Sequence, residues 1–539
     1  MDSLEFQLRS KQLAECIVSY RQNVHTLRVK ADVEPGYLTT YLPESAPKDG
    51  EDWAKIMADV QNYIMPGITH WQHPQFHAYF PCGNSYPSIL GDMLASAFGA
   101  VGFSWVACPA FTELEVVMMN WIGKMLGLQD EFLFSSDSLG GGVIQGSASE
   151  CVLVCLLAAR HKKLKELKQQ NPKVDETILL SKLVAYTSQE AHSCVEKAAM
   201  IGFVKIRRLE TDENYRLRGG ILAEAIKEDQ EQGLTPFFVS ATLGTTSCCS
   251  FDDLTELGPL CEEHDIWLHV DAAYAGNALI CPEFRYLSQG LEYASSFNVN
   301  LHKWLLVNLD CSLMWVKNKT HLMEPLTVDP IYLQHNQSNV SVDYRNWSIP
   351  LSRRFRSLKI WFVIRKFGIE KLQDHIRNHV KLAKTMENWI REDERFEVMN
   401  EVQTGLICFR LKGPNHLTET LLYFLNNSGN FFAVPAVLKG KYVIRLCING
   451  PSMEEEDILR SWTLVTQTAT ALLNVGEVAH QQNQVNLKIE KENKYKKNIL
   501  ERSFSESGII ITTHPVSRKK RILSEILNVE RGELVPLRC

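Results

Sequence analysis

Between about residues 86 and 320, apolar runs of strand length alternate with helix-length amphipathic runs, and no other feature constrains the fold so strongly. The clearest strand candidates are 182–187, 236–241, 266–271 and 311–317. Near-continuous apolar strands separated by helices are covered on both faces, so the pattern predicts an α/β fold built of βα units around a mainly parallel sheet.

The rest of the chain is organised around that block. Residues 1–85 carry amphipathic stretches punctuated by Pro35-Gly36, Pro43, Pro47 and Pro66-Gly67, which predicts a helical N-terminal segment. A large domain at 86–360 contains a polar stretch, 318–350, with no sustained period; loops this long inside a domain are usually functional or disordered. From 361 to 478 long helices precede strands at 405–411 and 442–447, which predicts a small α+β domain. The remainder, 479–539, reads as a basic, disordered tail containing the cluster Arg518-Lys-Lys-Arg521.

Composition narrows the ligand. A net charge of −6 from 57 basic and 63 acidic residues, well mixed, argues against nucleic acid or a membrane surface as partner and favours a small molecule. Fourteen scattered cysteines, with no basic stretch leading into an apolar run at the start, fit reduced thiols in the cytoplasm. The apolar run 151–159 is nine residues, about half of what a membrane span requires.

Four places could carry chemistry. Gly140-Gly-Gly-Val-Ile-Gln-Gly-Ser-Ala-Ser-Glu150 runs into a helix-like segment, where the glycines would let backbone approach a ligand and Ser147, Ala148 and Ser149 would present amides and hydroxyls that cradle a phosphate. A plain Gly-rich turn with a serine as N-cap explains it equally well. Asp271 ends an apolar strand, where ligands of open α/β sheets bind; it could instead cap a following helix. Lys303, between His302 and Trp304 in an apolar setting, would be desolvated into an amine nucleophile, or else be a surface stem lying along an aromatic. His192 could stack on a planar ring or move a proton, or simply start a helix. Zinc is unsupported, because Cys194, Cys248 and Cys249 form no paired C-x-x-C units, and a G-x-S-x-G nucleophile elbow is absent. A phosphate cradle, a strand-end carboxylate and a buried lysine, in this order, are the three anchors that pyridoxal phosphate needs.

With those residues, and with His70-Trp71-Gln72, Phe103-Ser-Trp105, Thr112-Glu-Leu-Glu115, Ala241-Thr-Leu-Gly-Thr-Thr246 and Pro350-Leu-Ser-Arg-Arg-Phe-Arg356, the chain resembles the pyridoxal-phosphate group II amino-acid decarboxylases over residues 1–475. Within them it resembles the animal aromatic-amino-acid, tyrosine and histidine decarboxylases, and most of all the arthropod-type tyrosine enzymes. The resemblance implies a type I pyridoxal-phosphate fold with a seven-stranded sheet, and a homodimer embraced by the N-terminal segment. It assigns Lys303 to the Schiff base, Asp271 to the pyridine nitrogen and His192 to the ring face. Ala148, Ser149, Asn300 and His302 match phosphate contacts, while Thr246 and Ala273 match cofactor-pocket positions. Tyr332, within 318–350, matches a tyrosine that closes over the substrate and returns a proton to Cα.

Trp71, Tyr79, Phe80, Cys82, Phe103, His192 and Ser352 match positions around the substrate side chain. Ser352 stands where DOPA decarboxylases usually have glycine and the histidine or tyrosine enzymes have serine. Cys82 and Phe111 depart from the residues usual at their positions. The implied activity is decarboxylation of an aromatic L-amino acid, tyrosine to tyramine first, with histidine or DOPA decarboxylation or a catalytically idle binding protein as alternatives. Aldehyde-forming relatives replace the lid tyrosine with phenylalanine or the stacking histidine with asparagine, and both residues are retained here.

Overall fold

The computed structural model describes residues 1–337 and 341–474, so the basic tail expected at 479–539 lies outside the described residues. Two compact units are found, one holding 1–27 and 33–66 with 463–474, the other holding 28–32 and 67–462.

In the larger unit the alternating block forms a seven-stranded sheet. Its strands are β1 (Gly141–Gln145), β2 (Leu183–Ser188), β3 (Lys205–Leu209), β4 (Thr235–Thr242), β5 (Trp267–Asp271), β6 (Ser296–Asn300) and β7 (Ser312–Val316), in the order β1-β7-β6-β5-β4-β2-β3. All pairings from β6 to β3 are parallel, and only β7, between β1 and β6, runs against its neighbours. Because β7 is flanked by two antiparallel pairings, β1 points the same way as β6. The expected strands at 182–187, 236–241, 266–271 and 311–317 are therefore β2, β4, β5 and β7. Apart from the edge strand β3 and the first residue of β4, every strand residue is buried, as a sheet covered on both faces requires.

The glycines of the 140–150 segment have a different use from the one expected. Residues 141–145 are β1, and the glycines admit neighbouring protein rather than a ligand. A Cβ on Gly140 would lie 1.9 Å from Glu131 O, on Gly141 2.5 Å from Phe134, and on Gly142 2.3 Å from Met119.

A second sheet, β8 (Phe396–Val398), β9 (Leu406–Leu411), β10 (Val434–Leu438) and β11 (Lys441–Cys447), is antiparallel in the order β10-β11-β9-β8. The helix Arg356–Glu392 joins the two sheets and breaks at Gly368, whose φ of 73° is left-handed backbone that glycine adopts without steric cost.

Two stretches known only from the family resemblance meet at a buried ion pair. Arg353 Nη2 contacts Glu115 Oε1, which also accepts the Ile144 N–H of β1 at 2.8 Å; Arg353 Nη2 in turn donates to Ile144 O at 3.0 Å. The guanidinium lies 4.6 Å from the Tyr344 ring centroid. The side chains of Arg353 and Glu115 are 2% and 0% exposed, so removing one strands a charge. Glu115→Ala is expected to cost about 3–5 kcal/mol in chemical denaturation; an unchanged midpoint would show the pair to be dispensable.

In the smaller unit, the helix Ser3–Asn23 begins with Asp2 accepting from Glu5 N–H and contains no buried residue. Leu4, Phe6, Leu8 and Leu13 are all exposed. The short helices Tyr37–Tyr41 and Trp53–Asp59 follow, with Tyr41 stacked on Tyr63 at 5.3 Å and Arg9 lying 6.0 Å from the Trp53 ring. Among the described residues no helix is long and apolar enough to cross a membrane.

Candidate active site

The carboxyl ends of β1, β2, β4, β5 and β6 lie at one edge of the sheet, the edge where open α/β sheets bind ligands. Each delivers one of the singled-out groups: helix 148–170 after β1, His192 after β2, Thr246 after β4, Asp271 at the end of β5, and Asn300 to Lys303 after β6.

Helix Ala148–Gln170 starts because Ser147, in extended backbone, accepts from Glu150 N–H, while Glu150 Oε2 accepts from Gly146 N–H at 3.0 Å. Ser147 thus is a cap, but Ser149 remains exposed beside the free N–H groups of a long helix, which favours an anion there. Asp271 does not cap the next helix. Its Oδ1 accepts from Ala273 N–H at 3.0 Å and Asn298 Nδ2 at 3.1 Å, which leaves Oδ2 able to accept from an incoming donor. Asn300 Oδ1 accepts from the Ser312 hydroxyl, and its carbonyl takes Asn277 Nδ2 at 3.0 Å. His302 Nδ1 lies 2.9 Å from Cys311 O and 3.0 Å from Cys311 N, and burial lowers its pKa to about 4. Thr246 is half-buried, in the turn that follows the left-handed Gly244.

Lys303 projects from a single helical turn, Leu301–Trp304. Burial lowers the pKa of its amine, an effect opposed by the charge of Asp271 and reinforced by Arg445. His192 feels the same centre: burial lowers its pKa, with Asp271 opposing and Lys303 adding to the shift. Its Nδ1 accepts from Cys194 N–H at 3.1 Å, so the neutral ring carries its proton on Nε2. Lys303, Asp271 and His192 are thus near enough for the charge of Asp271 to act on both other groups and that of Lys303 on His192.

The aromatic side of the site is also assembled. Lys303 Nζ lies 5.1 Å from the Phe80 ring, Trp71 stacks on Tyr79 at 5.5 Å, and Gln72 Nε2 donates to Cys82 O at 2.7 Å. Gly83 N–H donates to His302 O at 2.6 Å, lacing this segment to the Lys303 turn. Cys82 is half-buried and close enough for the Lys303 charge to oppose the burial that raises its pKa.

Other expected residues lie in different surroundings. Tyr332, in the turn Ile331–Leu333, is 76% exposed. Phe103 and Ser352 are near each other: Gly102 N–H faces Arg353 O at 3.5 Å, and Ser352 lines a cavity of about 340 Å³ with Asp92, Val101 and Phe355. Phe111, an unusual residue for its position, is fully buried and stacked on Phe355 at 4.5 Å, where it fills core rather than substrate space.

Sequence reading missed Arg445. It is 3% exposed and makes no ion pair among the described residues; Nε donates to Ser247 O at 3.1 Å, Nη2 is buried without a hydrogen-bond partner, and the guanidinium lies 5.1 Å from the Phe80 ring. A lone arginine in the apolar strand 442–447 was the available signal. Buried unpaired charge is costly, so this group calls for an anion.

Comparison with known proteins gives a consistent picture. A family model described as the pyridoxal-dependent decarboxylase conserved domain matches residues 35–412. The chain is 52% identical over 475 residues to the aromatic-L-amino-acid decarboxylase of Rattus norvegicus, covering 88% of this chain and 99% of that one. It is 50% identical over 474 residues to the histidine decarboxylase of Drosophila melanogaster, covering 88% of this chain and 56% of that one. The solved tryptophan decarboxylase of Catharanthus roseus, in complex with L-tryptophan, superposes with a TM-score of 0.83 at 38% identity over 88% of this chain and 99% of that one. The fold is accordingly the type I fold of pyridoxal-phosphate decarboxylases. The donor set fits the cofactor: a desolvated amine at Lys303 with no ion pair among the described residues, a free acceptor on Asp271, a flat imidazole at His192 and an anion-binding helix start at Ala148 and Ser149.

Proposed function

The chain belongs to the pyridoxal-dependent decarboxylase family, and from that premise we propose that it converts tyrosine to tyramine and CO₂, with histidine and DOPA as rival substrates. The observation that carries the reaction is the desolvated Lys303 amine set against Asp271 and His192. The choice of tyrosine is supported by Ser352, the residue carried by histidine and tyrosine enzymes where DOPA decarboxylases usually have glycine; gain of a single polar contact can shift selectivity by orders of magnitude.

Bound pyridoxal phosphate supplies a conjugated ring that takes up the electron pair left when the Cα–carboxylate bond breaks. Ser149 and the N–H groups at Ala148 would hold its phosphate, Asp271 Oδ2 its ring nitrogen, His192 its face and Lys303 its aldehyde carbon. Burial lowers the pKa of Lys303, so a larger share of its amine is uncharged and available for exchange with the substrate amine than at an ordinary lysine. Arg445 offers its unpaired Nη2 to the substrate carboxylate. Trp71, Tyr79 and Phe80 orient the aromatic side chain. Tyr332 would return a proton to Cα after CO₂ leaves, with the Nε2–H of His192 as a second donor.

Assembly as a cytoplasmic homodimer completes the reading. The exposed apolar face of helix Ser3–Asn23, within the 1–85 segment, supports a second copy as its cover.

The test is a competition assay on the purified holoenzyme, offering tyrosine, histidine, DOPA and tryptophan together while following amines, aldehydes and dissolved oxygen. Tyramine is expected to dominate without oxygen uptake. Histamine or dopamine in excess would reassign the substrate, and aldehyde formed with oxygen consumption would overturn simple decarboxylation.

A further inference from the structure

A column of rings lies beneath the Lys303 amine. Phe80 stacks on Tyr274 at 4.0 Å, Tyr274 on Trp304 at 4.6 Å, and the Trp304 indole runs within 5° of parallel to the His379 imidazole at 6.4 Å. His379 belongs to the helix Arg356–Glu392 and is 1% exposed. Both of its nitrogens are engaged. Trp304 Nε1 donates to Nδ1 at 2.9 Å, and Nε2 lies 2.9 Å from Gly450 O. An indole N–H can only donate, so Nδ1 is the acceptor and the ring proton sits on Nε2, donated to Gly450. Burial and the neighbouring His375 ring, 4.3 Å away, hold the pKa of His379 far below the usual value, in keeping with this neutral form. His375 itself bonds the Trp304 backbone.

The two partners of His379 lie on either side of Lys303. Trp304 is the next residue in the chain. Gly450 follows Asn449, whose Nδ2 donates to the Lys303 carbonyl and to Pro81 O at 2.6 Å. One imidazole therefore ties down both the residue after Lys303 and the loop that grips the Lys303 carbonyl and the Phe80–Pro81 segment. The lysine needs this support, because its own element is one helical turn followed by the left-handed Leu306. Packing alone would be met by leucine or phenylalanine, without two buried polar atoms that must each find a partner.

We propose that His379 is a positioning residue for Lys303, a neutral clamp joining Trp304 to the Asn449-Gly450 loop so that the backbone carrying the amine is fixed. The proposal rests on the reading of Lys303 as the cofactor lysine. Small displacements at a reacting group cost up to about 10²-fold in rate, so His379→Leu and Trp304→Phe are each expected to lower kcat by about 10- to 100-fold with KM little changed. Because both break the same bond, the double variant should lose no more than the worse single one. His379→Gln, which keeps an acceptor and a donor, should recover most of the loss.

The deciding readout uses the apo-protein. The rate at which a small acylating reagent labels Lys303 is followed against pH by peptide mass spectrometry. The groups that set this profile are Asp271, Cys194, Cys82 and Arg445 around the amine. Loosening the clamp admits water, so the midpoint should rise towards that of a surface lysine in His379→Leu and Trp304→Phe and stay near the wild-type value in His379→Gln. Variants that turn over and label like wild type, or whose rate effects multiply in the double variant, would overturn the clamp. Should His379→Leu fail to fold, Trp304→Phe removes the same N–H while keeping a ring, and carries the test. Failure of the underlying reading has a separate signature: borohydride reduction of the wild-type holoenzyme would then leave the Lys303 peptide unmodified.

Discussion

Lys303→Ala is expected to lower amine formation by on the order of 10³ or more, the scale seen when a covalent catalytic group is removed. The folded state should tolerate the change. The lysine amine is desolvated, with burial as the main force on its pKa, so removing it relieves a buried polar group and leaves only a small cavity beside Phe80. Cofactor affinity should fall less than turnover, because the helix start at Ala148 and Ser149, Asp271 and His192 are untouched. The measurement is twofold: amine release under saturating substrate, and retention of cofactor absorbance through dialysis. Wild-type protein should keep its cofactor and the variant should lose it slowly. Amine formation within about tenfold of wild type would move the covalent role to another lysine.

Asp271→Asn is expected to lower kcat by about 10²- to 10³-fold, the range for deleting one preorganised electrostatic partner in a buried site. Its expected cost to stability is small. The asparagine oxygen can still accept from Ala273 N–H and Asn298 Nδ2, while the amide NH₂ occupies the position of Oδ2. What is lost is the acceptor and its charge, and with them the hold on a protonated ring nitrogen. The same change removes the charge that opposes desolvation at Lys303 and His192, so both pKa values should fall further. A variant with near wild-type kcat would show that Asp271 serves the fold alone.

The sheet was legible because its strands are buried on both faces and therefore apolar almost throughout, as at β4 and β5. The carboxylate and the lysine were legible for the same reason, since Asp271 and Lys303 interrupt or follow such runs. Gly140, Gly141 and Gly142 misled, because a glycine needed for close approach looks the same whether the neighbour is a ligand or Met119. Phe103, Ser352 and Tyr332 were named from family likeness alone; Ser352 lines a cavity with Asp92 and Val101, and Tyr332 is exposed. Arg445 and His379 stayed hidden for the opposite reason. Each is an ordinary polar residue within an amphipathic or apolar element, and its role depends on partners more than 50 residues away in the chain, such as Ser247 or Trp304.

The Phe80 ring has Lys303 Nζ and Arg445 Cζ each 5.1 Å from its centre. Its quadrupole faces the Arg445 guanidinium and offsets part of the repulsion by which Arg445 helps to lower the Lys303 pKa. Sequence drift at the three positions is therefore interlocked. An aliphatic residue at 80 would fit the same volume yet expose lysine and arginine to each other, and only a compensating change at 303 or 445 would restore the balance. With 303 held as the proposed cofactor lysine, an aliphatic at 80 in some other chain of this kind should be accompanied by the loss of the arginine at 445.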